Sequence, residues 1–141
     1  MIANTEVFLD TNILLYAALG REHAGYRLER ARAIVLTEDY CTSGQVLAEF
    51  YHNAIKKGPR PLTPEKAREW VRVIAMKPCQ PVTSEVVVAG IDHARHYHLS
   101  YWDGAIIAAA ERLGARVVYS EDLNHGQTYG SVRVENPFKD F

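Results

Sequence analysis

Apolar positions along this chain fall into short, sharply bounded blocks that switch between two periodicities. Val7, Phe8 and Leu9 form a continuous apolar run closed by turn chemistry, which predicts a buried strand. Ile13, Leu14, Leu15 and Tyr16 then predict the start of a buried helix. From Ala24 to Asp39, the residues Tyr26, Leu28, Ala31, Ile34 and Val35 recur near helical spacing with arginines between them, and they predict a helix. Tyr40 to Ser43 predicts a short strand. In "GQVLAEFYHNAIKKG" the positions Val46, Leu47, Phe50, Tyr51, Ala54 and Ile55 share one stripe, and Gly58 with Pro59 stops the helix. Thr63 as N-cap and Pro64 as first helical residue open the next one, with Val71, Ile74 and Ala75 turned inward.

After Pro78, "CQPV" is a short strand candidate, followed by a helix from Thr83 to Leu99 capped by Thr83 or Ser84. "SYWDGAIIAAAERLG" predicts a helix that ends at Gly114, a residue suited to the left-handed position past a helix end. "ARVVYS" and "SVRVEN" predict the last two strands. Strands that alternate with helical blocks imply an α/β domain, its mostly parallel sheet lying between helix layers.

Composition narrows the class. At 141 residues the chain is expected to form one domain, 1–141, large enough for a hydrophobic core. A net charge of -1 argues against coating nucleic acid by bulk electrostatics, but it leaves room for a basic rim beside an acidic site. Cys41 and Cys79 lack CxxC spacing and read as reduced thiols. "MIANTEVFLD" does not pattern as a leader, and "AIIAAA" is soon interrupted by Glu111 and Arg112, so no membrane span is expected. The expectation is a soluble, cytoplasmic protein.

Four acids stand out against this apolar background. Asp10 and Asp122 each follow a predicted strand, so parallel neighbouring strands would bring both to one sheet edge, where α/β folds bind ligands. Asp103 sits in the first turn of a helix that is apolar nearly all round, and Glu49 borders the apolar stripe of its own helix. Each has an ordinary explanation. Asp10 can cap the helix after it, Asp103 can complete a capping box with Ser100, Glu49 can be a solvated flank, and Asp122 can open a turn with Asn124 and Gly126. Together they mean more, because buried carboxylates must be paired or hold a metal, and no Lys or Arg adjoins Asp10 or Asp103. An oxygen-only donor set suits Mg²⁺ or Mn²⁺. Strand alternation would put Ser120 and Asp122 on one side and Glu121 on the other. His93, His96 and His98 are expected on one polar helix face, without the motif of a metal pair. His125, in the loop after the strand-end acid, is a candidate substrate contact.

"FLDTNILLYA", "LAEFY", "YWDGAIIAAA" and "VVYSEDLNHGQ" followed by "VENPF" resemble, in order, the PIN-domain ribonucleases, and in particular the VapC-type toxins of bacterial toxin–antitoxin pairs. The resemblance spans essentially the whole chain. It implies a three-layer α/β/α sandwich around a central, mostly parallel sheet, and metal-dependent hydrolysis of RNA. It assigns catalytic and metal-binding roles to Asp10, Glu49, Asp103 and Asp122, supported by Thr11, Asn12 and Ser120. Ser120 stands where threonine is common. The family also implies one or two Mg²⁺ or Mn²⁺ ions, a small antitoxin that covers the site, and a homodimer. The antitoxin face is expected from Ala24 to Val35, with the Glu49 helix. Lys56, Lys57 and Arg60, with Arg21 or Arg27 near the first loop, are candidates for a basic rim that steers RNA.

Two other classes compete. A phosphatase or phosphotransfer domain would use an aspartyl nucleophile after the first strand, but Asn12 stands where a second aspartate is needed and no phosphate-binding lysine is evident. A non-catalytic docking module of the same fold is the other.

Overall fold

The computed structural model describes residues 6–139; the first five residues of the stretch read above for a leader lie outside them. Strand β1 (Val7–Leu9) leads into helix α1 (Thr11–Leu19). A short helix α2 (Arg21–Ala24) and one 3-10 turn (Gly25–Arg27) precede α3 (Leu28–Thr37). Then follow β2 (Thr42–Ser43), α4 (Gly44–Ala54), α5 (Pro64–Ile74), β3 (Cys79–Gln80), α6 (Ser84–Tyr97) and α7 (Tyr101–Arg112). The chain closes with β4 (Val117–Tyr119), β5 (Thr128–Tyr129) and β6 (Val132–Glu135).

β1 pairs in parallel with β4, β4 with β6, and β2 with β3. A parallel bridge between Phe8 and Cys41 ties the β2–β3 pair to the free edge of β1. The amide of Leu9 donates to the Cys41 carbonyl at 3.0 Å, while that of Asp10 donates across to Tyr119 at 3.1 Å. The strands therefore run β3-β2-β1-β4-β6-β5, and among the described strands only β5 is antiparallel. From β1 the chain winds outward to β2 and β3, then crosses back to β4 on the opposite side. The switch point lies between β1 and β4, where an open α/β sheet forms its ligand crevice.

The architecture is the expected three-layer sandwich around a mostly parallel sheet. α1 packs against α3 and α4, α4 against α5, and α6 against α7, which also touches β2, β3, β4 and β6. The continuous apolar run in α7 explains its depth, since every residue from Gly104 to Ala110 is buried. α6 and α7 approach so closely that a methyl group built on Gly104 would collide with the Gly90 carbonyl oxygen and lie 2.8 Å from the Ala94 nitrogen. No helix among the described residues is long and apolar enough to cross a membrane.

Several boundaries differ from the sequence reading. The helix expected over Ala24 to Asp39 begins only at Leu28, because Gly25 takes φ 60, ψ -131 and breaks the turn before it. Tyr26 is consequently exposed, with the Arg27 guanidinium 4.5 Å from its ring centroid. Ala75 caps α5 instead of facing the core, and Ala67 is buried with Ile74. Thr83, not Ser84, caps α6. His98 leaves the helix that carries His93 and His96, taking a left-handed conformation at φ 56. β5 and β6 form an antiparallel hairpin where the sequence pattern predicts a loop before a single strand.

Candidate active site

Asp10 ends β1 and caps α1, so its capping role and its place in the site coexist. Its Oδ1 accepts the Thr11 amide at 2.7 Å, and its Oδ2 accepts the Ser120 hydroxyl at 2.8 Å. The side chain is only 6 % exposed, which makes it the most deeply placed of the four acids. Burial pushes its carboxyl up to about 6 despite those two hydrogen bonds, and the charges of Asp122 and Asp103 add to the rise.

Across the switch point, β4 ends at Tyr119, one residue earlier than predicted. Ser120 and Asp122 are therefore arranged by a turn and not by strand alternation. The Ser120 hydroxyl accepts the Asp122 amide at 3.0 Å while donating to Asp10. One buried serine thus clamps both strand ends together. The Asn12 side-chain amide donates to Asp122 Oδ2 at 3.0 Å, using the position that a phosphotransfer aspartate would need. Glu121 turns elsewhere: it accepts the Tyr16 hydroxyl at 2.5 Å and the Arg27 Nε at 2.7 Å. Burial, followed by Glu121, drives the Tyr16 phenol upward.

The other two acids come from helices. Ser100 caps α7 by accepting the Asp103 amide at 3.1 Å, which sets the first turn that carries Asp103. Burial raises the Asp103 carboxyl, opposed by its bond with Ser100 and reinforced by Asp122. On α4, Glu49 is half-buried and raised by burial, with Gln45 opposing and Asp103 and Asp122 reinforcing.

All four acids line one cavity of about 270 Å³, together with Thr11, Asn12, Asn53, Lys57 and Trp102. Among the described lining residues Lys57 is the one cation. No three acid, histidine or cysteine side chains among the described residues are gathered closely enough to form a ready-made metal cage. The donor set nevertheless fits a hard cation. It is made of oxygens, the carboxyls of Asp10, Glu49 and Asp103 are raised by burial and neighbouring negative charge, and Mg²⁺ keeps several waters while using few carboxylates. The buried Thr11 hydroxyl oxygen has no hydrogen-bond partner, leaving a free oxygen in a residue of the cavity wall.

The candidate RNA contacts divide. Lys57 reaches the cavity; Lys56 stands 3.3 Å from His52 Nε2 just outside it. Arg60 pairs with Glu22, Arg21 with Glu29, and Arg27 with Glu121, so none of the three arginines is a free rim charge. His125 Nδ1 accepts the Asn136 amide, which ties its ring to the end of β6, away from the cavity lining. Asn53 and Trp102 escaped the sequence reading. Asn53 had a signal, because it follows Glu49 by one helical turn; Trp102 had only its place beside Asp103.

No curated protein sequence matches the chain. Among solved structures it is similar to the Mycobacterium tuberculosis VapC20 sarcin-ricin loop cleaving toxin, at 18% identity over 81% of this chain and 88% of that one, with a TM-score of 0.62. It is also similar to a toxin–antitoxin complex from Klebsiella pneumoniae, at 18% identity, 94% and 98% coverage and a TM-score of 0.64. A DNA-bound VapBC from Salmonella typhimurium matches at 21% identity, 93% and 97% coverage and the same TM-score of 0.64. These likenesses carry the fold. The PIN domain family model matches residues 7–130, nearly the full described length and all four acids. The chain belongs to the PIN-domain family.

Proposed function

We propose that this protein is a divalent-metal-dependent endoribonuclease and the toxin of a toxin–antitoxin pair. The observation that carries the reading is the convergence of Asp10, Glu49, Asp103 and Asp122, from four separate segments, on one cavity at the sheet's switch point. Burial and like charge raise three of these carboxyls, a cost that a bound cation relieves. The four acids are the residues that hold the metal. Bound there, Mg²⁺ or Mn²⁺ supplies Lewis acidity toward the scissile phosphate and toward a water.

The chain's own groups do the positioning. Thr11 and Ser120 fix the Asp10 carboxylate, Asn12 fixes that of Asp122, and Lys57 offers a cation to the RNA phosphate. A phosphotransfer reading has little support, since Asn12 occupies the second-aspartate position. Single-stranded RNA incubated with the purified chain should be cleaved in Mg²⁺ or Mn²⁺, stopped by EDTA, and restored when metal is returned in excess. Cleavage indifferent to EDTA would overturn the metal reading; intact RNA under all conditions would overturn the nuclease reading.

Two neighbouring acids separate by role. Glu121 is already satisfied by Tyr16 and Arg27, whereas Asp122 faces the cavity. Asp122→Asn should therefore lose most cleavage and weaken Mn²⁺ binding, while Glu121→Gln changes both only modestly. Rates and metal affinities of the two variants decide it, and the reverse ranking would make Glu121 the ligand.

Restraint in the cell requires a partner. Several structural relatives are toxin–antitoxin complexes, and we place the corresponding small antitoxin on the segment from Ala24 to Val35 and on α4. We also propose a cytoplasmic homodimer. Purification of the tagged chain from its native host should yield a small copurifying protein, and light scattering of the free chain should give the mass of two copies. A tolerated, active chain with no copurifying partner would count against restraint by an antitoxin, and a monomer mass against the dimer.

A further inference from the structure

Beside the acid cavity lies a second hollow of about 310 Å³, lined by Gln45, Glu49, His52, Val82, Tyr101 and Trp102, with Ala48 between them. The two hollows share Glu49 and Trp102, so an occupant of one abuts an occupant of the other. The chemistry changes sharply across that boundary. Trp102 is 60% exposed although it lies in the first turn of a deeply buried helix, and Val82 in the same lining is 63% exposed. Tyr101 and Trp102 meet edge to face, ring centroids 5.1 Å apart at 73°. Gln45 binds the Trp102 carbonyl at 3.3 Å and Glu49 Oε1 at 3.5 Å, tying α4 to the start of α7 beneath the groove. At the rim, Lys56 Nζ stands 3.3 Å from His52 Nε2, and Lys57 lines the acid cavity itself.

We infer that this groove is a subsite for one unpaired nucleobase next to the scissile phosphate, with the base stacked on the Trp102 indole and its edge toward Gln45 and His52. The inference rests on the ribonuclease reading. Its occupant must present a phosphate to the acid cavity and a flat, largely apolar ring to the adjoining aromatic wall. A nucleotide has that composition, and the lysines at the end of α4 complement its charge. Stacking on a side chain requires a base free of its duplex partner, so the subsite selects single-stranded or looped RNA over A-form helix. A docked protein side chain is the competing occupant.

The chain has two tryptophans, so a Trp70→Phe variant leaves Trp102 as the sole indole reporter. Its fluorescence is titrated with short single-stranded RNA in EDTA and again with Ca²⁺, using oligomers in which one abasic position is moved along the strand. Quenching is expected, and one abasic position should abolish it. In cleavage assays on the otherwise wild-type chain, Trp102→Ala should lower kcat/KM on intact RNA by about tenfold or more, the scale of one stacked base. The same substitution should have little effect on RNA abasic at that position, and Trp102→Phe should restore most of the rate. RNA that is cleaved without quenching, or an equal loss for Trp102→Ala on intact and abasic RNA, overturns the subsite and leaves the nuclease reading standing. Position-dependent quenching without cleavage keeps the subsite and removes the hydrolytic reading. Quenching by a copurified small protein but not by RNA assigns the groove to a protein partner and overturns the proposal.

Discussion

In metal-free protein at pH 8, Asp10→Asn should melt several degrees above the parent chain, yet cleave RNA at least about a hundredfold more slowly. Both effects follow from one buried charge. Folding raises the Asp10 carboxyl from 3.8 to about 6, chiefly through burial. A group raised in this way stabilises the fold below its unfolded value and loses that contribution as pH climbs through the folded value. The window therefore runs from about pH 4 to about pH 6, and above it the ionised carboxylate costs on the order of 2–3 kcal/mol. Asparagine keeps a carbonyl oxygen for the Thr11 amide and removes the charge. The two proteins should converge near pH 4, where the parent carboxyl is protonated. Adding Mg²⁺ should raise the melting temperature of the parent and leave the variant unmoved, because only a species that binds metal gains from it. Melting curves across that range, with and without Mg²⁺, read the effect. A difference that does not change with pH would mean that Asp10 is a cap and little else.

Gly104→Ala should be the most damaging single methyl in the chain, costing about 3 kcal/mol or more. The added carbon would meet the Gly90 carbonyl oxygen, the Ala94 nitrogen at 2.8 Å and the Ala94 Cβ at 3.0 Å. These are mainly backbone atoms of a packed helix, so relief requires α6 and α7 to separate. Asp103 immediately precedes this contact, so separation should also draw one carboxylate out of register with the other three. A stability loss is therefore expected to come with lower activity per folded molecule. Gly114→Ala is the control: its φ of 75 makes alanine strained, but no atom lies within 4 Å of the new methyl. Urea unfolding should rank Gly104→Ala well below Gly114→Ala, and equal midpoints would show that the helix pair can give way.

The meeting of the acids was more legible in the sequence than the element boundaries were. Asp10, Asp103 and Asp122 were conspicuous because each interrupts or ends an apolar block, and all three line one cavity with Glu49. The separate placement of Asp122 and Glu121 was also anticipated, but for a different reason: a serine-led turn orients them after the strand has ended. Gly25 hid the break before α3, since apolar spacing carries on unchanged through a residue whose backbone does not. Tyr26 and Ala75 looked inward for the same reason, as periodicity outruns the helix that justifies it. Lys57 was legible as one of several rim candidates, but which of them reaches the acids depends on how the chain turns after α4. The ion pairing of the arginines is not legible where the carboxylate partner is distant in sequence: Arg27 finds Glu121 across 94 positions.

The Ser120–Asp10 clamp spans 110 positions. Contacts of such separation form late, because the longest loop must close before they reward the chain. At a translation rate of roughly 5–20 residues per second, the first strand waits several seconds before β4 has even been made. Throughout that interval a nascent chain holds Asp10 without Ser120 or Asp122 to complete the crevice. The crevice is thus absent for as long as synthesis takes to reach the fourth strand, and it is completed only when that strand pairs with the first.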